Sequence, residues 1–220
     1  LLLGPAMAAL YEIDDPVQRA LECPYTFFLP SADLIDAVRE GDCVKVVVRA
    51  VPPSEKYDAE RMWICVTAIG ADWFEGTLDS VPQDMPLLKL GMPMKVPKTA
   101  VIEVDLADPG RAPPKREGHR EYWERCLVDD DVIQGKLKVD YLYREEPDMG
   151  QEGDKFPDSG WRIRGDLRNC SDDDIETRKM SYVAIGLVLN ADDTWLHLID
   201  EPVGSKYIKD FDRDEFVKSK

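Results

Sequence analysis

The stretch YREEPDMGQEGDKFPDSGWRIRGD, Tyr143 to Asp166, is one of the charge-rich runs of the chain. Acids at Glu145, Glu146, Asp148, Glu152, Asp154 and Asp158 precede Arg162 and Arg164. Such a run could serve acid–base catalysis, calcium ligation or docking of a basic partner. Catalysis by paired carboxylates needs one acid buried enough to keep its proton near neutral pH. Glu145 and Glu146 are neighbours on a strand, so they point to opposite faces and form no dyad. The acids between them and Trp161 sit among Gly, Asp and Gln and read as solvated. A calcium loop of the EF-hand type wants D-x-[DN]-x-[DN]-G and a closing bidentate Glu. Here Asp148 and Gly150 stand too close and no such Glu follows. CSDDDIE, Cys170 to Glu176, fails in the same way and reads as a helix cap or exposed turn.

Nucleophilic catalysis needs a base, and the chain has two histidines. His119 lies in a polar linker, and His197, between Leu196 and Leu198, reads as a packed histidine. No G-x-S-x-G, Walker or G-x-G-x-x-G motif occurs. No catalytic residue, metal ligand or cofactor is therefore expected, and the chain reads as a non-enzyme. Docking remains, with acids as steering charge and aromatics as anchors. Asp148, Glu152 and Asp154 in the loop, and Asp172, Asp173 and Asp174 beyond it, are the expected partner contacts. Trp161 could anchor a partner, but packing beneath the hairpin is the favoured reading. Two other function classes remain as alternatives: a regulatory module binding a metal or small molecule through the acidic loop, and a hydrolase with an unrecognised site.

The formal net charge of −16 and pI near 4.5 weigh against nucleic-acid or anionic-membrane partners, which need clustered Lys and Arg. A field this negative speeds encounter with a basic protein. LLLGPAMAAL, at the start, contains Gly4 and Pro5 and is short of the ~20 apolar residues a membrane span needs. No basic segment precedes it, so no signal peptide is expected, and residues before Met7 are set aside from fold reasoning. Cys23, Cys43, Cys65, Cys126 and Cys170 are scattered without a C-x-x-C pair, so neither a disulfide framework nor a structural zinc site is suggested. Cys43 and Cys65 lie in apolar strand-like runs and read as small hydrophobes. A reducing cytoplasm fits this usage.

The elements that position these residues follow from periodicity. DPVQRAL reads as a short helix, and SADLIDAVREG as another, capped by Ser31 and stopped by Gly41. CVKVVVRAV is a strand, and ERMWICVTAIG with DWFEGTLDS forms a hairpin turning near Gly70 to Asp72. Met62, Ile64, Val66 and Ala68 face one way and Trp63, Cys65, Thr67 and Ile69 the other, so this strand is central. Pro93 and Pro97 place MPMKVP at a sheet edge. The Pro-, Gly- and Arg-rich stretch Asp108 to Arg120 marks a boundary, dividing the chain into domains 1–110 and 111–220. Beyond it, HREYWERCLVDDD spaces Tyr122, Trp123 and Cys126 for a short helix. LKVDYLYRE alternates, with Leu137, Val139, Tyr141 and Tyr143 on one face, and pairs antiparallel with GWRIRGD. MSYVAIGLVLN is a buried strand or a buried helix, DDTWLHLIDEP a helix after an Asp cap, and YIKDFDRDEFV an ordered polar tail. The expected class is α+β: a small antiparallel, barrel-like module followed by a mixed α+β module.

Particular residues also carry a family likeness. YREEP (Tyr143, Arg144, Glu145, Glu146, Pro147) followed by DSGWR (Asp158, Ser159, Gly160, Trp161, Arg162) and Gly165-Asp166 resembles the signature of bacterial immunity protein family 33. EPVGSKY, Glu201 to Tyr207, resembles that family's closing element. ERMWICVTAIGADWFEGTLDSVP with LKLGMPMKVP, Glu60 to Pro97, is similar to domain of unknown function 2314. The likeness implies a protein that neutralises a toxin in interbacterial competition by stoichiometric binding, with the signature residues serving the fold. The segment MGQEGDKFP is long for that family, and LRNCSDDDIE replaces the acidic patch expected after Asp166. The implied partner is a cognate protein toxin, and the charge favours a basic one.

Overall fold

Most of the β-branched runs form strands in the computed structural model, which describes residues 11–53, 55–114, 120–168 and 170–219. The expectations for LLLGPAMAAL, for His119 and for the middle of the basic linker lie outside the described residues, as does the Asp172 side chain. Contacts divide the described residues between two units: 11–22 with 27–114, and 23–26 with 120–219.

The first unit contains β1 (Tyr11–Ile13), α1 (Val17–Glu22), α2 (Ala32–Asp36), β2 (Cys43–Ala50), β3 (Glu60–Ile69), β4 (Trp73–Leu78), β5 (Pro93–Pro97) and β6 (Glu103–Asp105). All pairings are antiparallel, in the order β1-β2-β3-β4-β5, and β6 joins β2 alongside β1. The sheet curls into a nearly closed, barrel-like form around Val44, Val46, Val48, Met62, Ile64, Val66 and Phe74, all essentially without solvent exposure. Period-two alternation puts Cys43, Lys45, Trp63 and Cys65 on the opposite face. Ser31 caps α2 by accepting the Leu34 N–H at 3.2 Å. That helix ends at Asp36, well before Gly41, whose φ of +92° turns the chain into β2.

The second unit contains β7 (Arg125–Asp129), α3 (Asp130–Ile133), β8 (Val139–Arg144), β9 (Asp158–Gly165), α4 (Asp172–Thr177), β10 (Met180–Ala184), α5 (Ile185–Ala191), β11 (Lys206–Asp210) and β12 (Glu215–Lys218). The sheet order is β10-β7-β9-β8-β11-β12, with β7 and β9 parallel and the other neighbours antiparallel. Trp161, Ile163, Cys126, Val128, Val139 and Leu142 meet Ile185, Val188, Leu189 and Trp195 in one core on a single face of this sheet. Residues 23–26 also belong here. The Tyr25 N–H donates to Asn190 Oδ1 at 2.9 Å, and Asn190 Nδ2 donates to Thr26 Oγ1 at 2.6 Å.

Three expectations need correction. The helix at HREYWERCLVDDD is instead β7 with one short helical turn after it, because Cys126 and Val128 alternate inward and gain two strand neighbours. The face shared by Val139, Tyr141 and Tyr143 breaks at a bulge, where the β8–β9 register shifts between Val139 and Tyr141. Val139 and Leu142 both reach the core, and Tyr141 and Tyr143 turn to the other face. DDTWLHLIDEP makes only a single 3-10 turn, Leu196–Leu198, after Asp192 accepts from Thr194, and His197 is exposed with its ring centroid 6.3 Å from that of Phe216. MSYVAIGLVLN is both of its alternatives in succession, β10 and then α5, while the polar tail forms the β11–β12 hairpin with Tyr207 in the core.

Candidate functional site

The ends of the acidic stretch are built into the β8–β9 hairpin. Gly160 has φ +80°, and a Cβ there would lie 2.1 Å from the Glu145 carbonyl oxygen, so only glycine fits. Gly160→Ala is expected to cost about 2 kcal/mol or more, read from the denaturation midpoint. Ser159 Oγ donates to the Arg125 carbonyl at 2.7 Å, tying β9 to β7. The Trp161 indole N–H donates to the Ile199 carbonyl at 3.2 Å, and its ring meets Trp195 edge-on at 5.8 Å. Arg144 lies over the same indole and donates to the carbonyls of Ser159 (2.9 Å) and Glu201 (2.8 Å). It thereby joins EPVGSKY to the hairpin, and the Gly204 N–H returns a bond to the Arg144 carbonyl. Tyr143 pairs with Lys206 of β11 in register, whereas Glu146 and Pro147 are exposed.

Arg162 is the centre of the loop. Its guanidinium is 2% exposed and meets Asp158 and Asp148 at 2.9 Å each, with Glu145 as a third carboxylate. Asp158 also accepts the N–H groups of Gly160, Asp148 and Met149. Burial pushes the Asp158 carboxyl up, but the Arg162 hydrogen bonds and the backbone N–H groups outweigh it and hold it at about 2. Hydrogen bonding to Asp158 raises Arg162 in turn, so the pair stays charged. Asp158 and Glu145 are thus spent on a guanidinium, Asp148 shares it from a largely exposed position, and Glu152 and Asp154 stay exposed at the loop's outer end.

Arg164, two residues along β9 and therefore on the same face, ties the second acidic segment to the sheet through its backbone. Its Nε meets buried Asp129 at 2.9 Å and its Nη2 donates to the Ile175 carbonyl of α4 at 2.7 Å. Arg178 closes the group through Asp129, Gly165 and Asp166. Ser171 and Asp174 form a capping box at the start of α4, so Asp174 is partly committed to the helix and Asp173 is exposed. Arg162 thus holds Asp148 of the loop through its carboxylate, and Arg164 holds α4 through the Ile175 backbone carbonyl, both from one face of one sheet. Between and beside them that face carries Tyr141 and Tyr143, with ring centroids 5.5 Å apart. Ile208 pairs with both Tyr141 and Val217 in register, and these two aliphatics are 46% and 44% exposed. The helix α5 and the tryptophan pair cover the opposite face.

The apolar half of this patch was invisible to pattern reading, since the bulge at Asp140 decides which way the tyrosines point. A second group was also missed. Cys43 and Cys65, read as scattered, are cross-strand partners in the first unit.

Residues 126–220 match the family model described as the immunity protein Imm33 domain. The matched segment contains β8, β9, α4 and the β11–β12 hairpin, and with them both arginine-centred groups and the tyrosine face. No curated protein matches the chain, and no solved structure does. Among the described residues no helix is long and apolar enough to cross a membrane.

Proposed function

We propose that the chain is a cytoplasmic immunity protein that neutralises a cognate, basic protein toxin by stoichiometric binding, without catalysis. The match of residues 126–220 to an immunity domain supports the role. The observation that supports the place is the framing of Tyr141, Tyr143, Ile208 and Val217 by two acidic segments, both fixed through β9. Apolar and aromatic groups at the centre of a contact supply most of its energy, and rim charges steer the encounter. In this reading Asp148, Glu152, Asp154, Asp172, Asp173 and Asp174 are rim charges, and residues 1–110, apart from residues 23–26, form a separate domain resembling domain of unknown function 2314 across Glu60 to Pro97.

The test is co-expression with the product of the neighbouring gene. Rescue of toxicity together with a co-purified one-to-one complex is the expected result, and no rescue counts against the proposal. With a complex in hand, Ile208→Asp is expected to weaken binding about 100-fold, chiefly through faster dissociation. Charge reversal of Glu152, Asp154 and Asp173 is expected to slow association and flatten its salt dependence. Unchanged kinetics in both sets would move the interface off this face, and an acidic partner would remove the electrostatic part of the reading.

A further inference from the structure

Cys43 on β2 and Cys65 on β3 face each other directly across the sheet, with their Sγ atoms 2.6 Å apart. Their chain neighbours Val44 and Ile64 are fully buried, so the two thiols project from the face opposite the barrel's core. Asp79, just past β4, reaches the same place: the two sulfurs and one Asp79 carboxylate oxygen all lie within 4.8 Å of one another. The thiols are half-buried and Asp79 is exposed, which leaves the group open to solvent on one side. Asp105 of β6 pairs with Cys43 in register from the other flank of β2, outside that group. Lys45, two residues along β2, is tied to Glu103 and lies 4.2 Å from the centre of the Trp63 ring, so its charge is already engaged.

We propose that Cys43, Cys65 and Asp79 form a site for one thiophilic divalent cation, of the zinc or cadmium kind, with solvent as the remaining ligand. Two thiolates and a carboxylate are the donor set such ions prefer, and they more than neutralise the ion's charge. Metal–sulfur distances of ~2.3 Å place two sulfurs about 3.7 Å apart around a tetrahedral ion, so the sulfurs, 2.6 Å apart here, must separate by about 1 Å on binding. The ion displaces the thiol protons on binding.

The test uses the full chain, kept reduced with a phosphine, titrated with Cd²⁺ and followed by the ultraviolet thiolate-to-cadmium charge-transfer band. Zn²⁺ is then added as competitor. One ion per chain with that band is the expected result. Cys43→Ser and Cys65→Ser should each weaken binding at least ~100-fold, Asp79→Asn about 10-fold with the band retained, and Cys23→Ser not at all. Should a variant fail to fold, protection of Cys43 and Cys65 in the native chain from alkylation by bound Cd²⁺, located by mass spectrometry, answers the same question. The proposal is overturned by the absence of a band, or by a band that survives loss of both thiols. It is equally overturned if the reduced pair ignores the ion and only oxidises to a Cys43–Cys65 disulfide in air.

Discussion

Arg162→Ala is expected to destabilise the second unit by about 3–5 kcal/mol. Its guanidinium is 2% exposed and the Asp158 carboxylate beside it 1%, so removing the arginine leaves a buried charge without its main partner. Asp158 would keep the N–H groups of Gly160, Asp148 and Met149, which limits the loss but does not replace a bidentate cation. Glu145 and Asp148 lose their anchor in the same step, so the whole acidic loop is released. The measurement is the guanidinium denaturation midpoint, and a wild-type midpoint would refute this account. The double variant Arg162→Met with Asp158→Asn should recover part of the loss, because no uncompensated charge remains. Acid should act along the same axis. Asp158 is held at about 2 in the fold against 3.8 unfolded, so its contribution of about 2 kcal/mol is fully present above pH ~4 and disappears as pH falls toward 2.

Trp161→Ala should cost a similar amount, about 3–5 kcal/mol, by a different route. The indole has no solvent exposure, donates to the Ile199 carbonyl, packs edge-on against Trp195 and carries Arg144 over its face. Its removal leaves a cavity where the hairpin, the segment after α5 and EPVGSKY meet. Under the proposed function, protection in cells would fall because less of the chain is folded, while the folded fraction keeps its affinity for the proposed partner. Ile208→Asp should show the opposite pattern, with a normal melting temperature and a weak complex. Measuring stability and affinity on both variants separates residues that hold the face from residues that form it.

Much of the architecture is legible from local pattern alone. The valines of β2, the alternation in β3 and the pairing of β8 with β9 depend on period-two burial, which any reading of apolar spacing detects. The failures share a cause in contacts that are remote in sequence. Arg125 to Asp129 has weak local preference, and its strand state comes from β9 and β10 on either side. One extra residue at Asp140 reverses the facing of two tyrosines, and no local signal marks it because Asp140 is held by the Leu167 N–H from beyond β9. Cys43 and Cys65 meet only through the β2–β3 register. The acids themselves were easy to pick out. That Arg162 ties down Asp148, and Arg164 the backbone of α4, from one face needed the sheet.

The placement of Cys23 to Thr26 bears on how this polypeptide can be dissected. The chain enters the second unit, leaves it to build the barrel, and returns. No single cleavage therefore yields two intact halves. A fragment starting after residue 117 would lack Tyr25 and Thr26, exposing Asn190 and the edge of Tyr122 that Tyr25 covers. Limited proteolysis or recombinant trimming at the basic linker should accordingly leave a C-terminal piece that folds less stably than it does within the whole, unless residues 23–26 are supplied as a short leader or a peptide added in trans.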